Sequence, residues 1–438
     1  MSAGAGDDGG GTGAPPTASP DRAGERGTTV GRGLLAAVAA VALAVAAGCA
    51  APQATETDAA TPTVETRGGD LSFDPGAEYT RLRSLLGTNV SAPPSVTVLN
   101  GSTLPENGND TVSPALATPA SHRALGVERE PAEREPLQYR YVAATSFTGE
   151  VRLYPGEKPR SLVRTVLVHE YVHYVQVTRG DLRRLRERLD TRTTDGQFVY
   201  RSVVEGTAVT VTDAYVRRHL DAAPNSALYE RVDEAVPRGT PAWYGNAAYR
   251  YGARYVDGRA ANASAAFEVV ERPPRTSEQV IHGHAPGEEP PRNLSVGVDA
   301  AGSDWRAIGR DRMGEAFLRT ALGDLPRDRA ATAAEGWGED ELVVFRSSGA
   351  TNASYALVTR WDEPADAAEF AAAFADELSR RGTGVETDAG AGWRVDGRRA
   401  AVERASPDTV VVLLGTAGFV GNATVRADDG TVTVETDD

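Results

Sequence analysis

The stretch VLVHEYVHYVQ at residues 166–176 decides the interpretation of this chain, because it places two histidines and a glutamate in an apolar helix. The run from 161 to 177 contains no Gly or Pro, which predicts a helix that stops at Gly180. Residues four apart lie on one helix face, so His169 and His173 direct their rings to the same side. From 165 to 177 the only other charged residue is Glu170, as expected of a buried helix at the floor of a cleft.

This pattern predicts a zinc site. Tetrahedral zinc readily accepts two imidazole nitrogens presented from one helix face. Glu170 follows the first histidine directly, where it would accept a proton from zinc-bound water and deliver it to a leaving amine. The alternative interpretation is an ordinary buried helix whose two histidines are satisfied by hydrogen bonds.

A third ligand is expected from Glu205, in the segment EGTA at residues 205–208. A catalytic zinc ion takes three protein ligands and leaves one position open. Valines at 203, 204, 209 and 211 surround this glutamate, and an apolar setting leaves a carboxylate in need of a partner. The segment lies on a second predicted helix, from about Ser202 to Leu220, after a polar connection at 191–197. The small Gly206 and Ala208 are expected to let this helix pack closely against the first.

These residues resemble the gluzincin clan of metallopeptidases, in the form HExxHxxQ followed by EGxA. The resemblance covers His169, Glu170, His173, Gln176, Glu205, Gly206 and Ala208. It implies a zincin-like fold that binds Zn2+ through His169, His173 and Glu205, and peptide-bond hydrolysis with Glu170 as general base. Thermolysin-like members carry Asp four residues after the ligand Glu. This chain has Val209 there, so Thr212 or Asp213 is expected to support the ligands instead.

A peptidase of this kind also needs a donor that stabilises the negative oxygen of the tetrahedral intermediate. Tyr251 and His282 are the predicted donors. Tyr251 lies on a helix predicted from 242 to 256, and His282 lies in a Pro-rich segment, 272–292, that is predicted to be irregular. Tyr249 and Tyr255 are further options on the same helix. For each of them, core packing or a surface contact is the competing explanation.

The charge balance argues against nucleic acid as a partner. The chain has 61 Asp and Glu against 46 Lys and Arg, a net charge of −15, whereas phosphate binding needs concentrated positive charge. Lys158 is the only lysine. This bias toward arginine and acidic residues resembles the composition of proteins secreted by salt-loving archaea.

The N-terminal region is interpreted as an export and anchoring signal, over residues 1–48. An apolar run from Leu34 to Ala47 is too short for a comfortable membrane span, and small residues precede Cys49, the only cysteine. This resembles a lipoprotein box, which implies a lipid on Cys49 and a protein held at the extracellular face of the cytoplasmic membrane. The alternative is an uncleaved membrane anchor. Seven Asn-X-Ser/Thr acceptors along the chain indicate a glycosylated surface protein.

The remaining chain is predicted to be an α+β protein. Residues 49–75 are predicted to form a disordered tether, 76–328 a zincin-like metallopeptidase domain, and 329–438 a small C-terminal α+β domain of order β-β-α-β-β. The C-terminal elements are strands at 341–346 and 355–360, a helix at 366–380, and strands at 400–403 and 409–414. A further helix is predicted at 305–322, and short strands at 96–98, 139–142 and 150–154.

The full layout also resembles a group of uncharacterised haloarchaeal surface lipoproteins, through the segments PPRTSEQVIH at 273–282 and GWGED at 336–340. The preferred hypothesis is a membrane-anchored extracellular zinc metallopeptidase acting on a peptide or protein substrate. The main alternative is a catalytically inactive zincin-fold surface or binding lipoprotein. A solute-binding lipoprotein of a transporter would also explain the anchor, but it gives the metal motif no purpose.

Overall fold

The computed structural model describes residues 63–87, 92–99, 118–128, 143–145, 149–349, 352–387 and 390–437. Over these residues the chain has helices and several mixed or antiparallel sheets, which confirms the predicted α+β class. Cys49, the run from Leu34 to Ala47 and the strand predicted at 139–142 lie outside the described residues. No helix among the described residues is both long enough and apolar enough to cross a membrane.

Twelve α-helices and one 3-10 helix are present in the described part of the chain. The α-helices are α1 (Pro75–Leu86), α2 (Ala120–Ala124), α3 (Arg160–Arg179), α4 (Asp181–Arg188), α5 (Thr194–His219), α6 (Ser226–Ala235), α7 (Pro241–Asp257), α8 (Ser277–His282), α9 (Glu315–Ala321), α10 (Arg327–Thr332), α11 (Pro364–Arg381) and α12 (Ala417–Asn422). The 3-10 helix is Ala265–Glu271.

The described strands form three sheets. A four-stranded sheet has the order β1 (Thr66–Arg67), β2 (Val96–Val98), β4 (Val151–Leu153), β3 (Ala143–Thr145). A three-stranded sheet has the order β13 (Ala423–Asp428), β14 (Thr431–Thr436), β5 (Ser295–Asp299). A seven-stranded sheet has the order β6 (Trp305–Asp311), β7 (Trp337–Ser347), β8 (Ser354–Trp361), β12 (Thr409–Gly415), β11 (Arg398–Ser406), β10 (Gly390–Val395), β9 (Thr383–Thr387).

Helix α3, which carries the histidine motif, forms where the sequence predicts it. It begins directly after Pro159 and ends at Gly180, whose φ of 72° is left-handed and closes the helix by bonding to the last carbonyls. Between 165 and 176 every side chain except His173 is buried. The apolar sequence is therefore explained by a helix that is covered on all sides and open only near His173.

Helix α5, which carries Glu205, starts eight residues earlier than predicted. Thr193 caps it by accepting a hydrogen bond from Gly196 N–H at 3.0 Å. Thr194 donates from its N–H to Asp311 at 2.8 Å and from its hydroxyl at 2.7 Å. The polar residues at 194–197, predicted to be a connection, are thus the first turn of the helix, and their polarity is satisfied by the cap and by a distant aspartate.

The close packing predicted for Gly206 occurs, but against a different helix. A Cβ on Gly206 would lie 2.3 Å from the backbone of Gly252 on α7. A Cβ on Gly252 would lie 2.1 Å from the carbonyl oxygen of Ser202. The prediction that Gly206 packs against α3 is therefore wrong: the two glycines let the backbones of α5 and α7 touch, while Ala208 is fully buried in the core shared with α3.

Two other segments differ from prediction. Residues 305–311 form an edge strand rather than the start of a helix, because pairing with β7 from Trp305↔Ser347 to Asp311↔Leu342 outweighs the local propensity. The predicted irregular segment 272–292 contains the short helix α8, capped by the Thr276 hydroxyl. The strand depends on a tertiary contact that a local pattern does not contain, whereas the short helix begins at a local threonine cap.

Part of the predicted tether is structured. Thr66–Arg67 pairs in parallel with Val96–Thr97, and Val64 and Phe73 are buried in the core around α3. Strand pairing and these two buried side chains attach residues 63–74 to the fold, so the prediction of a disordered segment is wrong there. Residues 49–62 lie outside the described part of the chain.

The C-terminal strands at 341–346, 355–360, 400–403 and 409–414 and the helix at 366–380 are confirmed as parts of β7, β8, β11, β12 and α11. The structure adds β9 and β10 between α11 and β11, so the order β-β-α-β-β is incomplete. The sheets also include β5 and β6, which precede residue 329. One core lies between the large sheet and α11, and a second core lies under β5, β14 and α12.

Candidate metal site

Three donor atoms from two helices converge on one point. Nε2 of His169 and Nε2 of His173 are 3.1 Å apart. Oε2 of Glu205 lies 3.4 Å from the first nitrogen and 3.1 Å from the second. Donors at about 2.0–2.2 Å from a tetrahedral zinc ion are separated by about 3.3–3.6 Å, so this triangle is close to the size that zinc requires. The residues therefore fit a zinc ion in both donor chemistry and spacing.

The orientation of His173 is fixed by Gln176. The Gln176 amide donates from Nε2 to the carbonyl oxygen of Val204 at 2.8 Å, which leaves its oxygen facing Nδ1 of His173 at 2.8 Å. A carbonyl oxygen accepts hydrogen bonds, so the proton of the neutral His173 ring sits on Nδ1 and the lone pair on Nε2. Gln176 therefore selects the ring form that binds a metal, and it also ties α3 to the helix that carries Glu205.

The orientation of His169 depends on Asn225, a residue that the sequence analysis did not identify. Nδ2 of the Asn225 side chain lies 2.9 Å from Nδ1 of His169, and Asn225 is only 2% exposed. The amide nitrogen donates, so Nδ1 of His169 is the acceptor in this structure. With a metal on Nε2 the ring proton would sit on Nδ1, and a half-turn of the Asn225 amide would present its oxygen to that proton. Asp213, one of the two expected supporting residues, holds this segment by accepting from Ser226 N–H at 3.1 Å. Asp213 thus supports His169 indirectly, by fixing the backbone next to Asn225.

Thr212, the other expected supporting residue, does not serve the site. Its hydroxyl is buried without a hydrogen-bond partner among the described residues. Val209, which replaces the aspartate of the thermolysin-like pattern, is fully buried in an apolar cluster with Tyr229 and Tyr249. The side chain at position 209 therefore contacts this apolar cluster and cannot orient a candidate metal-binding histidine by a hydrogen bond.

The charges of Glu205 and the two histidines stabilise one another. Burial alone would lower the pKa of His173, but the charge of Glu205 and its hydrogen bond reverse this and raise the pKa of His173 to about 9. Burial would likewise raise the pKa of Glu205, yet the two histidines hold that pKa well below its usual range. The buried carboxylate thus stays ionised and needs a cation, whether a proton on His173 or a metal ion.

Glu170 has one anchored oxygen and one free oxygen. Oε2 accepts a hydrogen bond from the Thr145 hydroxyl at 2.6 Å, which fixes the carboxylate to strand β3. Oε1 is buried and has no hydrogen-bond partner among the described residues. Glu170 also lies close enough to His173 for its charge to contribute to the raised pKa of that histidine. The free oxygen is therefore available to a proton-carrying group at the site.

The structure places Tyr251 and His282 in a different cluster. His282 donates from Nε2 to the fully buried Glu315 at 3.0 Å, and this hydrogen bond raises the pKa of His282. Arg319 bonds to the same carboxylate and interacts with Tyr251, whose ring also stacks under Arg250 at 4.4 Å. Among the contacts of the described residues, neither predicted donor touches a metal ligand.

Tyr249 is the tyrosine that lies beside the metal site. Its ring stacks on His169 with centroids 6.4 Å apart and on Tyr229 at 4.4 Å. Arg201 lies over the other part of this ring, with Cζ 5.3 Å from the centroid. Burial raises the pKa of Tyr249 well above its ordinary value, and Glu205 acts in the same direction. Tyr255, by contrast, packs under Arg259 at 3.7 Å.

Comparison with known proteins covers the C-terminal part of the chain. A family model described as a domain of unknown function (DUF8575) matches residues 304–428, from the start of β6 to the end of β13. This segment lies outside the metal site and begins ahead of the predicted boundary at 329. No curated protein and no solved structure matches the chain.

Proposed function

We propose that the protein is a zinc-dependent peptidase with a zincin-like catalytic domain. The observation that carries this proposal is the convergence of His169, His173 and Glu205 next to Glu170, whose second carboxylate oxygen is buried and unpaired. Each ligand is oriented by a hydrogen bond or by the opposing charges of the site. Such a constellation matches the requirements of metal-assisted hydrolysis.

Glu170 is the general base in this proposal. A zinc ion bound by the three ligands would supply a Lewis acid that polarises a carbonyl group and makes water more acidic. Oε1 of Glu170 takes the proton from the attacking water and passes it to the nitrogen of the leaving amine. Thr145 keeps the carboxylate in place by binding Oε2, so the proton is handled at Oε1.

A peptide substrate is supported by the edge of the four-stranded sheet. Strand β3 is at the end of that sheet among the described strands, paired only with β4, and its Thr145 touches Glu170. An extended peptide pairs readily with an exposed strand edge through main-chain hydrogen bonds. A peptide bound to this edge would pass beside the general base.

Tyr249 is the donor that the geometry favours for the developing oxyanion. Its stacking on His169 puts it nearer the ligands than Tyr251 or His282, which are engaged with Glu315 and Arg319. In this proposal Tyr249 takes the role that the sequence assigned to Tyr251 and His282.

The alternative is a zinc site that only stabilises an inactive surface or binding lipoprotein. The burial of the ligands favours it, since the side chains of His169, His173 and Glu205 are only 2%, 13% and 8% exposed. The unpaired oxygen of Glu170 argues for the peptidase, because a purely structural site does not require it.

The proposed location is the extracellular face of the cytoplasmic membrane, with a lipid on Cys49. The support is the sequence pattern ahead of Cys49 alone. Cys49→Ser should release the protein from membranes or leave an unprocessed precursor. Unchanged membrane retention at the mature size would contradict the lipid anchor.

The test of the activity is digestion of a broad peptide library by the zinc-loaded full-length protein at high salt. Parent protein is compared with Glu170→Gln and with Glu187→Gln, an exposed control glutamate paired with Arg183. The peptidase predicts cleavage by the parent and the control, and a loss of at least about 100-fold in Glu170→Gln. Cleavage at the parental rate by zinc-bound Glu170→Gln would remove Glu170 from the mechanism.

A further inference from the structure

Arg201 is a partly buried arginine that makes no ion pair among the described residues. Its Nε is buried without an acceptor, and its guanidinium lies against the Tyr249 ring at 5.3 Å and interacts with the Tyr249 hydroxyl. Glycine at 245, on α7, faces it: a Cβ there would sit 3.5 Å from Nη1 of Arg201. The guanidinium is thus held by an aromatic face and borders a position that carries no side chain.

Three nearby arginines form ion pairs with buried carboxylates. Arg250 binds Asp233 at 3.2 Å, and Arg312 binds Asp195 at 3.1 Å. Arg319 likewise binds the buried Glu315. Arg201 differs from them: its Nε is buried away from water, and no carboxylate of this acidic chain pairs with it among the described residues. An unpaired cation at Arg201 therefore indicates a position that is completed by an external anion.

The position of Arg201 places this cation next to the proposed reaction centre. Arg201 precedes Glu205 by one turn of α5, so the two side chains share a helix face. Tyr249 links them to the ligands, since its ring contacts both Arg201 and His169. The charges of Arg201, Glu205 and Glu170 all act on the hydroxyl of Tyr229 as well. Arg201 therefore lies in the same region as the candidate metal ligands and Glu170.

We propose that Arg201 binds a carboxylate of the substrate and gives the site a preference for acidic peptides. This inference rests on the proposed peptidase function and names its substrate class. Arginine suits the role because its planar guanidinium donates two parallel hydrogen bonds to a carboxylate. The carboxylate comes either from an Asp or Glu side chain near the cleaved bond or from the free C terminus of the peptide.

The experiment measures binding rather than turnover. The probes are acetylated pentapeptides that differ only by Glu or Gln at each position, made with a free or an amidated C terminus. Their affinities are measured for the full-length, zinc-loaded protein in the Glu170→Gln background, which does not consume them. The substitution Arg201→Gln is expected to weaken binding of the preferred carboxylate peptide roughly 10- to 100-fold. The affinity for the matching peptide with Gln or an amidated C terminus should not change.

Arg201→Lys and Arg186→Gln serve as controls. Arg201→Lys keeps the charge and should retain part of the preference. Arg186 also stacks on a tyrosine, Tyr200, at 5.4 Å, so Arg186→Gln tests for a general effect of losing such a contact and should change nothing. Circular dichroism and zinc content confirm that each variant is folded and loaded. The side-chain and C-terminal peptide series show which carboxylate is recognised.

The outcomes separate the two proposals. Equal affinity of the parent for carboxylate and neutral peptides, or a preference that survives in Arg201→Gln, overturns the role of Arg201 even if the protein cleaves peptides. A carboxylate preference that depends on Arg201, in a protein that cleaves no peptide, supports the role of Arg201 and contradicts the peptidase.

Discussion

Oε2 of Glu205 lies 3.1 Å from Nε2 of His173, although the two residues belong to different helices. His169 completes the triangle, so two imidazole nitrogens and a carboxylate oxygen face one another in a largely buried setting. Such an arrangement is stable only around a cation. The contact is made possible by the backbone of α5, which is held by α7 on one side and by Gln176 on the other.

Glu205→Gln should weaken zinc binding by more than about 100-fold, since loss of a residue outside the ligand set already costs about 10- to 100-fold. The amide keeps the shape of the side chain but removes its charge. The fold should survive, because α5 still packs through Gly206. The measurement is zinc affinity by competition with a chelator. Parental affinity in a folded variant would remove Glu205 from the site.

Asn225→Ala should weaken zinc binding about 10- to 100-fold, because the His169 ring loses the partner of Nδ1. Asn225→Asp should bind zinc at least as tightly as the parent, because a carboxylate accepts from Nδ1–H in either orientation, whereas the Asn225 amide must first turn its oxygen toward the ring. Thr212→Val is the matched control, since the Thr212 hydroxyl has no partner in the described structure. Equal affinities for all three variants would show that Asn225 does not orient the ligand.

Gly252→Ala should unfold or loosen the part of the protein that contains the candidate metal site. The added Cβ would lie 2.1 Å from the carbonyl oxygen of Ser202, so α5 and α7 must separate. A loss of more than about 2 kcal/mol in the free energy of unfolding is expected, together with weaker zinc binding. Gly418→Ala, where a Cβ meets nothing within 4 Å, is the control. A thermal melt of Gly252→Ala that matches this control would refute the close crossing.

Glu278 should make the protein less stable as pH rises. Burial and the charge of Glu315 raise the pKa of Glu278 from its ordinary 4.5 to about 9. The folded state therefore keeps a proton that the unfolded state releases, and this contribution to stability is lost between about pH 5 and about pH 9.

Glu278→Gln tests this effect, because the amide needs no proton. The variant should be more stable than the parent by more than about 1 kcal/mol near pH 8, and the difference should shrink toward about pH 5. The exposed Glu268→Gln is the control. Denaturant unfolding at several pH values measures the free energy of unfolding of each protein. A stability difference between Glu278→Gln and the parent that does not vary with pH would contradict the raised pKa of Glu278.

The sequence predicted those features that depend on local spacing. Helix α3 and its end at Gly180 follow from an uninterrupted apolar run and a left-handed glycine. The pairing of His169 with His173 follows from helix geometry, and the apolar setting of Glu205 identified it as a partner for that pair. The C-terminal strands β7, β8, β11 and β12 could be predicted because each contains a short apolar run.

Other features depend on contacts between distant segments. Asn225 and Thr145 are single polar residues without a spacing that marks them, and they reach His169 and Glu170 only in the folded chain. Tyr249 and Tyr251 are two residues apart on one helix, so only the packing of α7 decides which one faces the ligands. Residues 305–311 form the edge strand β6 because they pair with β7, which lies far along the chain.

X-ray absorption at the zinc edge of the loaded full-length protein is the most direct test of the metal site. The account predicts one zinc ion per chain, two imidazole nitrogens and carboxylate or water oxygens at about 2.0–2.2 Å, and loss of the imidazole signal in a variant with both His169→Ala and His173→Ala. A protein that binds no zinc, or zinc without imidazole neighbours, would contradict it.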